Sequence, residues 1–277
     1  MDYECFEVSR EAGVARVHLN HPERLNSMVP AFWAEIPRVF RELDEAGSIR
    51  VAVLTAAGRH FSAGMDLAVF SSPNALGTST VDARERFRQQ LRKLQQSFNA
   101  IADARFPVIA AVQGGCIGGA VDLATACCLR YCTRDAFFCI QEINIGMMAD
   151  VGTMNRMPRQ IPEAVMRELA YTGDRLGAER AERLGFVNGL FDNHDALIEG
   201  VLAVAKKIAG KAPVAIAASK EMIGYARDHS VAESFAYLNA LQPGVFSPED
   251  IGLAVAAQKS GQAADFTDLA PLRPPMG

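Results

Sequence analysis

The sequence predicts an α/β protein built on a mainly parallel sheet and followed by a helical C-terminal region. Short apolar runs of strand length recur along the N-terminal part, and amphipathic stretches of helical period lie between them. Beyond about residue 160 the strand patterns thin out while the helical ones continue.

The first strand is Val14-Ala-Arg-Val-His-Leu19, whose residues alternate in polarity. The runs Val51-Ala-Val-Leu-Thr55 and Val108-Ile-Ala-Ala-Val112 are apolar throughout, as strands covered on both faces are. Trp33, Ile36, Phe40 and Leu43 mark one face of a helix, and Phe87, Leu91, Leu94, Phe98 and Ile101 mark a longer one. Both stripes read as core. The stretch Ser71-Ser-Pro-Asn-Ala-Leu-Gly-Thr-Ser-Thr80 has turn composition without period and reads as a mobile loop beside the site. Later helices are expected over Asp195–Lys207 and Ala215–Arg227. Residues 1–195 are therefore read as the core that carries the site, and 196–277 as a helical region used in self-association.

Composition narrows the function classes. With 49% hydrophobic and 22% charged residues and a net charge of −4, the chain has no electrostatic footprint for nucleic acid or an anionic membrane. No apolar run reaches the roughly 20 residues of a membrane span. Met1-Asp-Tyr-Glu-Cys-Phe-Glu7 lacks secretory or transit character, and Arg273-Pro-Pro-Met-Gly277 is no peroxisomal address, so a cytoplasmic location is expected. Cys5, Cys116, Cys127, Cys128, Cys132 and Cys139 lack the paired spacing of a zinc site and read as buried reduced thiols.

Two glycine turns carry the first chemical signal. His60-Phe-Ser-Ala-Gly-Met-Asp-Leu67 follows a strand; Gly64 permits a turn closed to other residues, and Asp66 can cap the next helix, leaving the Met65 amide free. Gln113-Gly-Gly-Cys-Ile-Gly-Gly-Ala-Val-Asp-Leu123 follows another strand and places Gly118 and Gly119 where a helix begins. Neither turn matches a phosphate-binding loop. Two outward amides of this kind can form an oxyanion hole. His60 has no serine partner and reads as structural. The basic face of Arg84, Arg86, Arg88, Arg92 and Lys93 reads as solvated, with the phosphates of a ligand as the alternative partner.

Three acids carry the second signal. Asp122, Glu142 and Asp150 lie in apolar or glycine-rich surroundings, where carboxylates seldom stay without a partner or a purpose. Purely local roles are the competing reading: a first-turn helix acid, a solvated strand-edge residue and an N-cap.

The pairing of Ser62-Ala-Gly-Met-Asp-Leu67 with Gln113-Gly-Gly-Cys-Ile-Gly-Gly-Ala-Val-Asp-Leu123 resembles the crotonase (enoyl-CoA hydratase/isomerase) superfamily, over most of the chain. Within it, Asp122 in place of the usual Glu, together with Ala149-Asp-Val-Gly-Thr153, is similar to the Δ3,5-Δ2,4-dienoyl-CoA isomerases. Ala120, Cys128 and Asn144 depart from the family pattern without removing a residue of the chemistry. The resemblance implies a crotonase-like spiral of β-β-α units with a helical C-terminal region, assembled as trimers or dimers of trimers. It implies an oxyanion hole from the Met65 and Gly119 amides, and acyl-CoA contacts at Arg24, Leu25, Ser62, Ala63, Gly64, Asp66 and Gly118. Asp122, Glu142 and Asp150 become the catalytic acids, with Glu142 and Asp150 as a proton-transfer pair and Asp122 tuning them. The expected reaction moves a 3,5-dienoyl-CoA into 2,4-conjugation and uses no metal or redox cofactor, since coenzyme A belongs to the substrate. Enoyl-CoA hydratase activity, a hard-cation site on the three carboxylates and a non-catalytic acyl-CoA-binding role are the alternatives.

Overall fold

A computed structural model describes residues 3–71 and 79–272; most of the loop expected over 71–80 falls outside them. The chain runs β1 (Phe6–Glu11), β2 (Val14–Leu19), α1 (Pro30–Glu45), β3 (Val51–Ala56), α2 (Val81–Asp103), β4 (Val108–Val112), β5 (Gly115–Ile117), α3 (Gly119–Ala126), β6 (Leu129–Thr133) and β7 (Phe137–Cys139). It continues with α4 (Thr153–Arg156), α5 (Glu163–Thr172), β8 (Arg175–Gly177), α6 (Ala178–Arg183), β9 (Leu190–Phe191), α7 (His194–Ala209), α8 (Pro213–Asp228), α9 (Val231–Val245) and α10 (Pro248–Ser260).

The strands form two sheets. The larger has the order β1-β2-β3-β4-β6-β9 and is parallel except for the β1–β2 hairpin. The smaller has the order β5-β7-β8, and Ser62 adds to its edge through a parallel bridge to Cys116. Each turn of the chain therefore lays one strand in the large sheet, steps into the small one, and returns through helical segments: β3 to Ser62, β4 to β5, β6 to β7. That is the spiral of β-β-α units the motifs imply.

The apolar runs make the strands buried on both faces. Along β3, Ala52 and Leu54 join the core shared with α1 and α2, whereas Val51 and Val53 meet Leu197, Val201 and Ala205 of α7. The first helix of the region after residue 195 thus seals the outer face of the large sheet. In contrast, α9 and α10 contribute no buried residue and leave Val231, Phe235, Phe246 and Ile251 exposed.

The long aromatic stripe of α2 divides. Phe98 and Ile101 are fully buried in the core, but Phe87, Leu91 and Leu94 line an open cleft against α1, where Trp33 and Pro37 face them. The core reading therefore holds for Phe98 and Ile101 and in part for Leu91 and Leu94, which are half-buried and pack against the core while lining the cleft; helical period reports which face is apolar, not what covers it. Similarly, five cysteines are buried, whereas Cys128 is exposed, its sulfur accepting the Val108 amide.

The C-terminal end of α2 is held by Lys220 of α8, whose Nζ donates to the carbonyls of Ile101, Ala104 and Phe106 at 3.3, 2.5 and 3.0 Å. A cation at helix-terminal carbonyls is favoured by the dipole and satisfies acceptors that the helix leaves open. Lys220→Met is expected to cost about 2 kcal/mol or more, because these carbonyls lose a charged donor. Urea unfolding checks it; an unchanged midpoint would show that α2 and α8 are not coupled through this contact.

Candidate active site

The two glycine turns meet. The first is clamped from below by the segment after β2, where Leu25 and Asn26 both adopt left-handed backbone, at φ +53° and +52°. Asn26 is 3% exposed; its side chain accepts the His21 amide and donates to the carbonyls of Ala57 and His60. The Ser62 hydroxyl then donates to the Asn26 carbonyl and accepts the Gly64 amide, while the Ala63 amide donates to the Leu25 carbonyl and the Met28 amide to the Gly64 carbonyl. These bonds use the amides of Ala63 and Gly64 and leave that of Met65 without an acceptor among the described residues. Asp66 accepts the Ala68 amide and so starts the next turn, as expected of it.

The second turn is equally constrained. Gly118 has φ +56° and ψ −125°, and its amide donates to the Cys139 carbonyl. Gly119 opens α3, so its amide has no intrahelical acceptor and lies at the positive end of the helix. A Cβ on Gly64 would lie 2.4 Å from the Ile117 carbonyl oxygen and 3.0 Å from the Gly119 nitrogen. A Cβ on Gly119 would lie 3.7 Å from the Met65 nitrogen. The glycine at position 64 is what allows this approach, which brings two amides side by side. At the far end of α3 the buried Arg130 donates through Nη1 to the carbonyls of Ala124 and Cys127.

The three acids gather behind and beside these amides. Asp122, in α3, is 1% exposed; one oxygen accepts the Thr153 amide at 2.5 Å, and Oδ2 is buried without a partner. Thr153 is the first residue of α4, so Asp122 caps a helix remote in sequence. Glu142 stands on the 3₁₀ turn Gln141–Ile145; Oε1 is 3.3 Å from the Cβ position of Gly118, and Oε2 is buried without a partner. Asp150 is half-buried, and Gln95 of α2 donates to its backbone carbonyl. It does not cap α4, whose N-cap is Gly152, which removes the local role suggested for it.

Burial dominates the electrostatics. It pushes the Glu142 carboxyl up to about 7, aided by the nearby charges of Asp122 and Asp150. Burial also pushes Asp122 up to about 6, against the opposing hydrogen bond from the Thr153 amide. Asp150 moves upward too, again through burial. Asp122 and Glu142 therefore exchange protons close to neutrality, and neighbouring acids that interact in this way titrate as a group. Asp150 and Met65 reach the wall of the cleft between α1 and α2, about 1100 Å³ in volume, while Asp122 lies behind it. Among the described residues, no group of three or more His, Cys, Asp or Glu is arranged to hold a metal ion.

The remaining predicted residues fall at the rim or in the framework. Arg24 is exposed, 3.7 Å from the Asp66 carboxylate, and Leu25 beside it is 47% exposed. Ser62 is fully buried, so what it contributes is the backbone it holds. His60 accepts the Gly115 amide through Nδ1. On the basic face of α2, Arg88 is exposed and paired with Glu85. Sequence reasoning missed Asn26 and Thr153. Consecutive left-handed residues outside glycine, and a cap reaching across thirty-one positions, leave no local pattern to find.

Comparison with known proteins agrees with this geometry. The family model described as enoyl-CoA hydratase/isomerase matches residues 9–262. The mitochondrial Δ(3,5)-Δ(2,4)-dienoyl-CoA isomerase of Homo sapiens is 38% identical over 92% of this chain and 79% of its own. The peroxisomal enzyme of that name from Arabidopsis thaliana is 35% identical over 96% of this chain and 98% of its own. The crystal structure of an enoyl-CoA hydratase from Bacillus anthracis superposes with a TM-score of 0.85 at 25% identity, covering 95% of this chain and 99% of that one.

The raised Glu142 carboxyl has a stability consequence. A buried acid held above its unfolded value binds its proton more tightly in the folded state, so stability is full below the ordinary carboxyl range and falls as pH climbs to about 7. Glu142→Gln removes that loss. The variant is expected to match wild type at pH 4.5 and to exceed it at pH 8 by on the order of 2–3 kcal/mol. Denaturant unfolding at both pH values checks it; an equal effect at each would place Glu142 in water.

Proposed function

Because the chain belongs to the enoyl-CoA hydratase/isomerase family, we propose that it isomerises 3,5-dienoyl-CoA thioesters to the conjugated 2,4-dienoyl-CoA. The observation that carries this reading is the third acid, Asp150, which lines the cleft and lies close enough to Glu142 and Asp122 to raise their affinity for protons. Hydration needs acids at neighbouring carbons only. A shift of two conjugated double bonds needs proton exchange at C2 and at C6, four carbons apart.

In this reading one member of the Glu142–Asp150 pair is ionised and takes the C2 proton. The electron pair moves to C2=C3, the existing double bonds shift to leave C4=C5, and the protonated member of the pair delivers its proton to C6. Negative charge that builds on the thioester oxygen is held by the Met65 and Gly119 amides, worth roughly 3–4 kcal/mol per donor. Each turnover leaves the proton on the former base, so the pair must pass it back before the next. A Glu142 carboxyl pushed up to about 7, beside an Asp150 that burial also raises, suits that exchange at neutral pH. Asp122 supplies the negative charge that keeps its neighbour protonated. The apolar cleft of Trp33, Phe87, Leu91 and Leu94 suits an acyl chain, and Arg24 and Leu25 at the rim suit the CoA moiety.

The chemistry requires no metal or redox cofactor. The exposed Val231, Phe235, Phe246 and Ile251 on α9 and α10 support self-association as a trimer or dimer of trimers. Six free thiols suit a reducing compartment such as the cytoplasm, and such an isomerase fits the degradation of unsaturated fatty acids.

The test is the ultraviolet signal of new 2,4-diene formed from 3,5-octadienoyl-CoA. Wild type is expected to form it, and Glu142→Gln and Asp150→Asn to lose at least about 100-fold of that rate. Gly64→Ala, which drives a methyl into the Ile117 carbonyl, is expected to lose a similar factor through the displaced amides. Hydration of crotonyl-CoA in place of diene conjugation would overturn the reading in favour of a hydratase. Full diene formation by Asp150→Asn would remove the third acid from the mechanism.

A further inference from the structure

Beneath the acid cluster lies a second set of buried polar atoms that the mechanism does not use. Asp122 Oδ2, the Thr153 hydroxyl and Arg156 Nη1 are all buried without a protein partner. Thr153 follows Gly152 directly, and the Arg156 guanidinium occupies the space beside that glycine, whose φ is +152°. A single point there, where a Cβ would stand, is 2.0 Å from Arg156 Nη1 and 3.9 Å from Asp122 Oδ1. The guanidinium does not reach the carboxylate directly. Its other arm is fixed, because Nη2 donates to the Asn99 side chain of α2 at 2.5 Å, and its own amide donates to the Gly152 carbonyl.

Buried donors and acceptors of this kind are paired, by protein or by ordered water. Here a cationic donor, a carboxylate oxygen and a hydroxyl offer one water the two to four polar partners it needs. We propose that Arg156 is a positioning residue of this site: through one water shared with Thr153 it holds the Asp122 carboxylate in place and in its charged form. The inference rests on the acid-pair reading above and deepens it.

The charges facing this node come from every element around it. Asp122 comes from α3, Asp150 from the loop before α4, Asp103 from the end of α2 and Arg227 from α8, with the Cys127 thiol behind. Arg156 offsets the cost of burying Asp122 as an anion, and anionic Asp122 in turn keeps a proton on Glu142. Loss of Arg156 lets Asp122 take up a proton, and Glu142 then ionises at lower pH.

The experiment follows the titration of Glu142 directly, by infrared difference spectroscopy of full-length protein carrying ¹³C-labelled glutamate, with Glu142→Gln identifying the band. Arg156→Gln is expected to lower the Glu142 midpoint by about one pH unit and to move the pH profile of diene formation with it. Asn99→Ala, which frees the guanidinium but keeps its charge, shifts it in the same direction by less and serves if Arg156→Gln does not fold. In an Asp122→Asn background neither variant adds a further shift. A Glu142 midpoint that is unchanged in both variants overturns the inference, as does a shift that persists without the Asp122 charge. Because the readout needs no substrate, a shifted midpoint in a protein inactive on dienoyl-CoA would sink the reaction and leave the positioning role standing.

Discussion

Everything at this site depends on two turns approaching to backbone contact. With a Cβ at Gly64, the Ile117 carbonyl would have to move by more than half an ångström, and the Gly119 amide would turn away from Met65. The approach is enforced from several sides. The parallel bridges Ser62–Cys116 and Met28–Met65 tie the first turn to the small sheet and to the segment after β2, and the Asn26 side chain fixes that segment to the strand behind it. Because the amides of Ala63, Gly64, Asp66 and Gly118 already have acceptors, those of Met65 and Gly119 are left open by the backbone path rather than by flexibility. A preorganised pair of donors of this type costs no reorganisation when charge develops in front of it.

The acids follow from the same geometry. Bringing α3 up to the first turn carries Asp122 into the interior, where it is 1% exposed and has a single protein donor. An isolated carboxylate there would take up a proton. The Thr153 amide and the guanidinium of Arg156 oppose that, and Asp150 favours it, which leaves the group poised rather than locked. Glu142 has burial and two like charges against its ionisation and no counter-cation among them. Two carboxyls with one neutralising neighbour shared unequally is the arrangement that separates an acid from a base without any change in side-chain chemistry.

Sequence reading succeeded where a local rule decides the structure and failed where a distant residue does. Val14–Leu19 and Val108–Val112 are strands as read, since alternation and uninterrupted apolar runs are local signals. Gly64 and Gly118 were legible because glycine at a strand-to-helix turn implies a left-handed backbone that other residues rarely adopt. The acids were legible as oddities, charged residues inside apolar runs. What could not be read is which partners they meet. The cap from Asp122 to Thr153 and the contact from Gln95 to Asp150 span separate elements, and their geometry is set by how α2, α3 and α4 pack. The division of the α2 stripe at Phe98 has the same origin: one helix face passes from the core to the cleft that it shares with α1.

The brevity of α3 then becomes intelligible. An eight-residue helix is too short to persist alone, and its stability must come from burial and its ends. All eight residues of α3 are buried. Its negative end is satisfied by a buried guanidinium, Arg130, which also bonds to the Phe186 carbonyl. Its positive end has no such partner: Gly118 can supply no side-chain cap, and the Gly119 amide at the first helical position has no intrahelical acceptor. The helix is thus held by burial and by the end away from the first glycine turn.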